Sequence, residues 1–239
     1  MRPGNGVSEH LARWARPLVA RLRKTPFGAA LRGGSAAHAL AGDRCIEWEW
    51  VMRHLPSAPA RVLDVGCVDS VTAGMAAACG LDVTGLDIRP IEYGIQGLRF
   101  VQGSLEDFTS DGLGFDAIVL CSVLEHIGLG GRYGSGESPG ADVRALLHVM
   151  SLLRPEGKAI LTLPVGKSAV FAPFHRVYGA EQVGSFFENV SVVDSDYWMK
   201  TGTDWARVAA GTAFDTNGAT DYYALGLFVI TRGATASDE

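Results

Sequence analysis

The sequence predicts an α/β domain built on a doubly wound, mainly parallel sheet with an antiparallel last strand, preceded by an N-terminal helical extension. Three observations support this prediction. Short apolar runs alternate with helical patterns from residue 60 onward, a glycine follows the first run, and two long apolar segments come late in the chain. The chain has 239 residues, of which 47% are hydrophobic, so it is long enough for one substantial core.

The predicted strands are runs of apolar and β-branched residues. They cover residues 61–65, 83–88, 99–102, 117–121 and 159–163. Helical spacing occurs at residues 71–79, 142–153 and 180–187. Pro155 and Gly157 are expected to end the second of these helices. Residues 190–198 and 222–232 are interpreted as two late strands with a long loop between them.

Charge is distributed unevenly along the chain. The formal net charge is -5, yet residues 1–44 carry a net charge of +6, which leaves -11 for the remainder. Because the whole chain has no excess of cations, we do not expect a nucleic-acid partner held through its phosphates. The chain is therefore divided into a basic helical extension or lid at residues 1–44 and a main domain at residues 45–239.

Residues 11–24 combine apolar and basic side chains at helical spacing. Leu11, Trp14, Leu18 and Leu22 recur every three or four residues with arginines between them, and Pro17 interrupts the pattern. We interpret this segment as a lid or packing helix with a solvated basic face. Contact with a membrane surface is the alternative.

The composition favours a cytoplasmic protein. No apolar stretch approaches the roughly 18 residues of a membrane span, and arginines interrupt the N-terminal segment too often for a signal peptide. The four cysteines include no C-x-x-C pair, and three of them lie among apolar residues or alanines. This is the pattern expected of reduced, buried thiols.

The stretch VLDVGCVDS, residues 62–70, lies where a ligand-binding loop follows the first strand of such a sheet. A dinucleotide loop needs a second glycine near the pyrophosphate, but Val68 and Asp69 follow Gly66 here. The Asp69 carboxylate would repel a phosphate at the helix N-terminus. Asp87 lies 21 residues beyond Gly66, where a carboxylate reaches both ribose hydroxyls. The pattern therefore favours a nucleoside with cationic groups and no phosphate, such as S-adenosylmethionine.

On these stretches the chain resembles the class I S-adenosylmethionine-dependent methyltransferases. The resemblance covers about residues 45–232, and its motifs are VLDVGC, VTGLD, RFVQGSLEDF, FDAIVLCSVLEHIG and LLRPEGKAILTLPVG. The segment around EHIGLGGRYG resembles a narrower subgroup, mostly without assigned function. This resemblance implies a Rossmann-like sheet and S-adenosylmethionine as the cofactor.

The resemblance also implies which residues hold the cofactor. They follow or end the first four strands: Asp64, Gly66, Cys67, Asp87, Ile88, Ser104, Leu105 and Cys121. In the family, the third motif normally ends in an acid that contacts the adenine amine. Ser104 stands at that position, so its hydroxyl or the backbone of Leu105 is expected to make the contact instead.

Glu125 and His126 follow the fourth predicted strand, where the acceptor pocket should open. Methyl transfer from a sulfonium is an in-line displacement, so the protein aligns the acceptor and removes its proton where needed. His126 is the predicted base, and a histidine that packs against the following turn is the alternative. Similar quinone-type methyltransferases bind a divalent cation through an E-x-x-E-H run. Because Ser122 replaces its first acid, no required metal is expected.

The stretch PFHRVYG after the fifth strand supplies further candidates at the same edge of the sheet. His175 is a second catalytic candidate, and Arg176 and Tyr178 are candidates for binding the acceptor; a structural salt bridge is the alternative for Arg176. Tyr133, in the glycine-rich loop, would line the acceptor pocket or shield the sulfonium by a cation–π contact, unless it only anchors a lid. Trp198 has two equal interpretations: it contributes to substrate selection, or it packs in the core.

The predicted function is methyl transfer from S-adenosylmethionine to an oxygen or nitrogen of a small biosynthetic intermediate, such as a natural product, sugar or amino-acid derivative. Two rival interpretations stay open at this point. One is a non-catalytic protein that uses the nucleoside fold for binding or scaffolding. The other is a peripheral membrane enzyme with a lipid-like acceptor.

Overall fold

The computed structural model describes residues 43–91, 94–131, 133, 136–201, 204–219 and 222–233. The amphipathic helix predicted at residues 11–24 lies outside the described residues, as does almost all of the predicted extension at 1–44. Their roles as a lid or a membrane contact therefore stay predictions.

Helices and strands alternate through the described residues. The helices are α1 (Arg44–His54), α2 (Thr72–Ala78), α3 (Ala141–Leu152), α4 (Ala180–Phe186) and α5 (Ala210–Phe214). The strands are β1 (Arg61–Val65), β2 (Asp82–Asp87), β3 (Leu98–Gln102), β4 (Phe115–Cys121), β5 (Leu153–Val165), β6 (Ala169–Phe171), β7 (His175–Val177), β8 (Val190–Thr201), β9 (Asp204–Arg207) and β10 (Ala224–Arg232). Short 3-10 turns at Cys67–Asp69 and Leu124–His126 follow β1 and β4.

Eight of the strands form one sheet in the order β3-β2-β1-β4-β5-β10-β8-β9. The first five of these pair in parallel, whereas β10 runs antiparallel to β5. The predicted doubly wound, mainly parallel sheet with an antiparallel last strand is therefore confirmed. The strand order reverses between β1 and β4, and ligands of such sheets bind in the crevice beyond the carboxyl ends at this point.

Alternation along β1 shows how the sheet builds a core on each face. Leu63 belongs to one apolar cluster, together with buried residues of α3, and Val62 belongs to the other, together with residues of α1 and α2. Because successive side chains of a strand point to opposite faces, Asp64 shares the face of Val62. There its carboxylate accepts a hydrogen bond from the Thr72 hydroxyl of α2. The apolar pattern thus covers both faces, as a parallel sheet requires.

Strand β5 begins six residues earlier than predicted. Helix α3 ends at Leu152 and β5 starts directly at Leu153, which pairs with Phe115 of β4. The next paired residue of β5 is Lys158, so the residues between them bulge out of the ladder. Pro155 has no amide hydrogen to donate, and a Cβ on Gly157 would lie 2.7 Å from the Phe115 carbonyl oxygen. These two residues therefore shape a bulge rather than a loop.

The stretch between the two late strands is not the long loop that the sequence predicts. Strand β8 continues to Thr201 and pairs with β9, and α5 follows before β10. Trp198 and Trp205 lie on these strands and pack against the apolar cluster that includes Val62. Strands β6 and β7 also form a hairpin that was not predicted. Strands of three or four residues are too short for their alternation to be recognised.

The burial of two leucines predicts a large difference in how much their substitution by alanine lowers the free energy of unfolding. Leu161 in β5 is 0% exposed, whereas Leu147 in α3 is 62% exposed. We expect Leu161→Ala to lower the free energy of unfolding by about 2–5 kcal/mol, because it removes buried methyl groups and leaves a cavity. The matched control Leu147→Ala should change it by about 0.5 kcal/mol or less. Urea unfolding followed by circular dichroism measures both, and equal losses would contradict the packing described.

Candidate active site

A tight turn at Gly66 brings the loop after β1 against the loop after β4. Gly66 has a φ of 71°, in the left-handed region that favours glycine. Its amide donates to the carbonyl of Leu86 at 2.8 Å. A Cβ here would lie 2.7 Å from Cγ2 of Val123, so the two loops are in close contact. The position needs glycine for its conformation and for this close packing.

The carboxylate of Asp87 ends β2 beside this turn. Its Oδ2 accepts hydrogen bonds from the Val68 amide at 3.0 Å and from Nη2 of Arg89 at 3.1 Å. Its Oδ1 accepts from the amide and from Nε of Arg89, at 2.9 and 3.2 Å. A carboxylate offers about four acceptor positions, so all of them are used, two by backbone and two by the guanidinium. The binding of a ribose diol by Asp87 stays a prediction.

Arg89 links Asp87 to two other parts of the site. Its Nη1 lies 2.5 Å from Oδ2 of Asp69, and its guanidinium carbon lies 4.8 Å from the centre of the Tyr133 ring. Asp69, which stands in place of the second glycine, therefore has a cationic partner. Arg89 is not among the predicted site residues, although its position two residues after Asp87 was a signal that could have found it.

Asp64 lies beneath the loop. Its side chain is buried and accepts a hydrogen bond from the Thr72 hydroxyl. Burial raises the pKa of this carboxyl to about 7, although hydrogen bonds from Thr72 and the Ala73 backbone act in the opposite direction. Cys67 and Cys121 are buried as well. The structure thus places these three side chains in support of the loop, and their assignment to the cofactor stays a prediction.

Three of the residues predicted to hold the cofactor lie beyond β2 and β3: Ile88, Ser104 and Leu105. Ile88 is 40% exposed directly after Asp87, as a side chain that packs against a ligand would be. The Ser104 hydroxyl accepts the amide of Glu106 at 3.2 Å, which caps the following turn. Leu105 is buried in an apolar cluster. Contact of Ser104 or the Leu105 backbone with an adenine stays a prediction.

Glu125 and His126 lie together in the 3-10 turn after β4. Nδ1 of His126 lies 2.6 Å from the carbonyl oxygen of Phe174. A carbonyl only accepts hydrogen bonds, so Nδ1 carries the proton of the neutral ring and Nε2 is its basic atom. Nε2 lies 3.6 Å from Oε1 of Glu125, and the Tyr133 ring meets the imidazole edge-on at 5.4 Å. An oriented imidazole beside a carboxylate is an arrangement suited to general base catalysis.

The side chains of β7 hold this turn in place. Nη1 of Arg176 donates to the carbonyl of Ile127 at 2.7 Å and approaches the carbonyl of Glu125 at 3.4 Å. Its Nε lies 3.8 Å from Oδ2 of Asp142. Arg176 therefore ties the backbone of the turn to the start of α3. Its predicted contact with an acceptor stays a prediction.

The other two predicted residues of this stretch, His175 and Tyr178, are buried. Tyr178 is 1% exposed, and its hydroxyl donates to Oδ2 of Asp142 at 3.0 Å. Burial and the nearby carboxylates raise the pKa of this hydroxyl, which keeps it a donor. The His175 ring lies 5.3 Å from the ring of Tyr223. Tyr178 was predicted to line the acceptor pocket, but it lies in the core. The catalytic role of His175 stays a prediction.

Three general features of the described residues bear on the kind of site. No group of three or more His, Cys, Asp or Glu side chains among them is arranged to hold a metal ion. No helix in this part of the chain is long and apolar enough to cross a membrane. The four cysteines, all within the described ranges, form no disulfide.

Sequence comparison finds relatives that are named ubiquinone biosynthesis O-methyltransferases. The chain is 34% identical over 149 residues to the ubiquinone biosynthesis O-methyltransferase of Xanthomonas axonopodis pv. citri (strain 306), which covers 58% of this chain and 56% of that protein. The corresponding protein of Xylella fastidiosa (strain 9a5c) is 29% identical over 148 residues, 58% of this chain and 54% of that one. The chain thus spans little more than half the length of these relatives. Residues 93–201 match the family described as "Caenorhabditis protein of unknown function, DUF268".

Solved structures share the fold over most of the chain. The 1,6-didemethyltoxoflavin-N1-methyltransferase of Burkholderia thailandensis, bound to 1,6-didemethyltoxoflavin and S-adenosylhomocysteine, has a TM-score of 0.58 at 17% identity, over 98% of this chain and 93% of that one. The N-methyltransferase NodS of Bradyrhizobium japonicum WM9, in complex with S-adenosyl-L-homocysteine, has a TM-score of 0.57 at 16% identity, over 90% and 91%.

The chain therefore has the fold of the class I S-adenosylmethionine-dependent methyltransferases, which confirms the predicted resemblance at the level of architecture. The relatives that share its sequence are, by name, O-methyltransferases of ubiquinone biosynthesis, whereas the two structures described are N-methyltransferases.

The buried carboxyl of Asp64 predicts a pH dependence of stability. Its pKa is about 7 in the folded chain against 3.8 without the fold, so the folded state holds the proton more tightly. The stabilisation from this group is fully present below about pH 4 and is lost as the pH rises to about 7. Asp64→Asn removes this titration and keeps an acceptor for Thr72. We expect the free energy of unfolding to fall less between these pH values in the variant than in the wild type.

Urea unfolding at several pH values measures this difference, and each unit of pKa shift corresponds to about 1.4 kcal/mol. Parallel stability curves for the two proteins would show that Asp64 titrates normally in the fold.

Proposed function

We propose that this protein transfers a methyl group from S-adenosylmethionine to an oxygen or nitrogen of a small acceptor molecule. The observation that carries the proposal is the nearly buried carboxylate of Asp87 at the end of β2, beside the Gly66 turn and at the switch point of the sheet. The names of the relatives also support it, since the proteins that match 58% of this chain are named methyltransferases.

The chemistry of the site fits this cofactor better than a dinucleotide. Asp69 lies in the loop at which a dinucleotide would place its pyrophosphate, and a carboxylate there disfavours that group. The carboxylates of Asp69 and Asp87 accept hydrogen bonds from hydroxyl or amino groups and attract a cation. When bound, S-adenosylmethionine would supply an electrophilic methyl group, and the rest of the reaction falls to residues of this chain.

His126 is the residue that we assign to the proton of the acceptor. Nε2 accepts this proton as the acceptor atom forms its bond to carbon, because Nδ1 is held by the Phe174 carbonyl. The carboxylate of Glu125, 3.6 Å away, stabilises the imidazolium that results. Arg176 holds the backbone of this turn, which keeps the ring in position.

We also propose the class of acceptor and the compartment. The acceptor is a small biosynthetic intermediate, such as a natural product, a sugar or an amino-acid derivative. A phenolic oxygen is the first group to test, because the sequence relatives are named O-methyltransferases of ubiquinone biosynthesis. Four cysteines without a disulfide support a reducing compartment, the cytoplasm.

Two measurements test the proposal. Isothermal titration of the full chain with S-adenosylhomocysteine tests the cofactor site. Transfer of a labelled methyl group to 3,4-dihydroxybenzoate, as a phenol, and to 2-phenylethylamine, as an amine, tests the reaction. A folded protein that binds neither S-adenosylmethionine nor S-adenosylhomocysteine would refute the function.

The saturated carboxylate of Asp87 predicts opposite effects of two neighbouring substitutions. Asp87→Ala removes the acceptor of the ribose hydroxyls and should weaken S-adenosylhomocysteine binding by about 1.5–3 kcal/mol. Arg89→Ala frees two acceptor positions on Asp87 and should tighten binding several-fold. Calorimetry measures both. If Arg89→Ala weakened binding as much as Asp87→Ala does, the guanidinium would be a part of the cofactor site rather than a competitor for it.

A base at His126 predicts a loss of turnover without a loss of cofactor. His126→Ala should lower kcat by about 10²–10⁴-fold, the usual contribution of a general base, and leave S-adenosylhomocysteine affinity nearly intact. The pH profile of kcat should lose its acidic limb, because a protonated imidazole cannot accept the proton. A variant within about threefold of the wild type would show that alignment alone drives the transfer. Activity that chelator abolishes and magnesium restores would instead indicate a metal site.

A further inference from the structure

A buried ring of hydrogen bonds joins α1 to the loop after β4. Glu47 of α1 is 0% exposed, and its Oε1 accepts hydrogen bonds from the hydroxyl of Ser122 and, at 2.6 Å, from that of Thr162 in β5. The Ser122 amide in turn donates to Oγ1 of Thr162 at 2.8 Å. Ser122 is therefore held at both its amide and its hydroxyl.

This ring holds Ser122 in an unusual backbone conformation. Its φ is 52°, and no other residue except glycine has a positive φ within the described ranges. A side chain in the left-handed region costs free energy, and such residues persist where the surroundings impose them. The hydrogen bonds of Glu47 and Thr162 are the interactions that impose this one. The precise placement of Ser122 is thus a built feature of the loop.

The hydrogen bonds around Glu47 make the electrostatic potential at the Ser122 hydroxyl oxygen more negative. Oε1 of Glu47 accepts hydrogen bonds from two hydroxyls, and such hydrogen bonds favour the ionised form of a carboxyl group. Because Ser122 donates its hydrogen to Glu47, both of its lone pairs are left to accept. A hydroxyl that donates to a carboxylate is also polarised into a better acceptor. Ser122 therefore presents negative potential, backed by the charge of Glu47.

The sheet places Ser122 at the end of the crevice opposite to Asp87. The carboxylate of Asp87 ends β2, on one side of β1, and Ser122 follows β4, on the other side. Val123, the next residue, contacts the Gly66 turn between them. Ligands of such sheets lie in the crevice at this switch point, so a cofactor bound by its ribose at Asp87, with its adenine toward β3, would place its methionine end toward β4. Ser122 is partly exposed there, whereas Glu47 lies behind it.

We propose that Glu47 and Ser122 form the subsite that recognises the sulfonium of S-adenosylmethionine. Ser122 contacts the cationic end of the cofactor, and Glu47 is the positioning residue that orients Ser122 and supplies the compensating charge. This assignment rests on the proposed function. Its consequence is selectivity: the subsite favours the charged cofactor over S-adenosylhomocysteine, the neutral product, and so helps exchange one for the other after each transfer.

Isothermal titration with S-adenosylmethionine and S-adenosylhomocysteine tests this selectivity without a methyl acceptor. The variants are Glu47→Gln, which removes the charge at constant size, and Ser122→Gly, which removes the hydroxyl and tolerates the positive φ. Glu49→Gln is the matched control, because Glu49 lies on the same helix but is exposed. Melting temperatures establish that each variant is folded.

We expect both variants to bind S-adenosylmethionine about tenfold more weakly, with S-adenosylhomocysteine affinity within about twofold of the wild type. The double variant should lose less than the sum of the two single losses, because Glu47 acts in part through Ser122. Glu49→Gln should leave both affinities unchanged.

Equal losses for the two ligands, or no loss for either, would overturn the assignment and leave the proposed function standing. A wild-type protein that binds neither ligand would overturn both. If Glu47→Gln does not fold, the selectivity of Ser122→Gly decides.

Discussion

The contact between Gly66 and Val123 brings together the two loops that carry the groups of the candidate site. Gly66 turns the chain after β1 with a φ of 71°, and a side chain at this position would collide with Val123. Strands β1 and β4 are neighbours in the sheet, so this contact closes one end of the crevice at their carboxyl ends. Asp87 lies on one side of the contact, and Ser122, Glu125 and His126 lie on the other. A wider turn would separate the two halves.

The charged groups at this crevice have partners of opposite charge. Arg89 bridges Asp69 and Asp87 and lies over the Tyr133 ring, so one cation holds two carboxylates and one aromatic side chain of the glycine-rich loop. Desolvated carboxylates are costly without partners, which explains why the nearly buried Asp87 has all of its acceptor positions filled. The site can exchange the guanidinium for other donors while the backbone amides of Val68 and Arg89 keep the carboxylate in place.

The turn after β4 is supported from the strand side by groups that are far away in sequence. Arg176 binds its backbone, the Phe174 carbonyl orients His126, and Thr162 holds the Ser122 amide. These contacts come from β5 and the β6–β7 hairpin. The hairpin therefore contributes to the site in two ways. Its Phe174 carbonyl fixes which nitrogen of His126 is basic, and its Arg176 side chain holds the backbone of the 3-10 turn.

The sequence by itself determined the order of β1 to β5, the mainly parallel sheet and the position of Asp87 relative to Gly66, because apolar period and glycine placement are local properties of a chain. Only the tertiary structure decided the partners of the site residues. Glu47 meets Ser122 across 75 positions and Phe174 meets His126 across 48, and no local pattern encodes such pairs. Likewise Tyr178, which resembles a pocket residue in sequence, lies in the core because Asp142 of α3 accepts its hydroxyl there. Which side chains face one another depends on how the helices and the late hairpin pack on the sheet, and that packing arises from the whole fold.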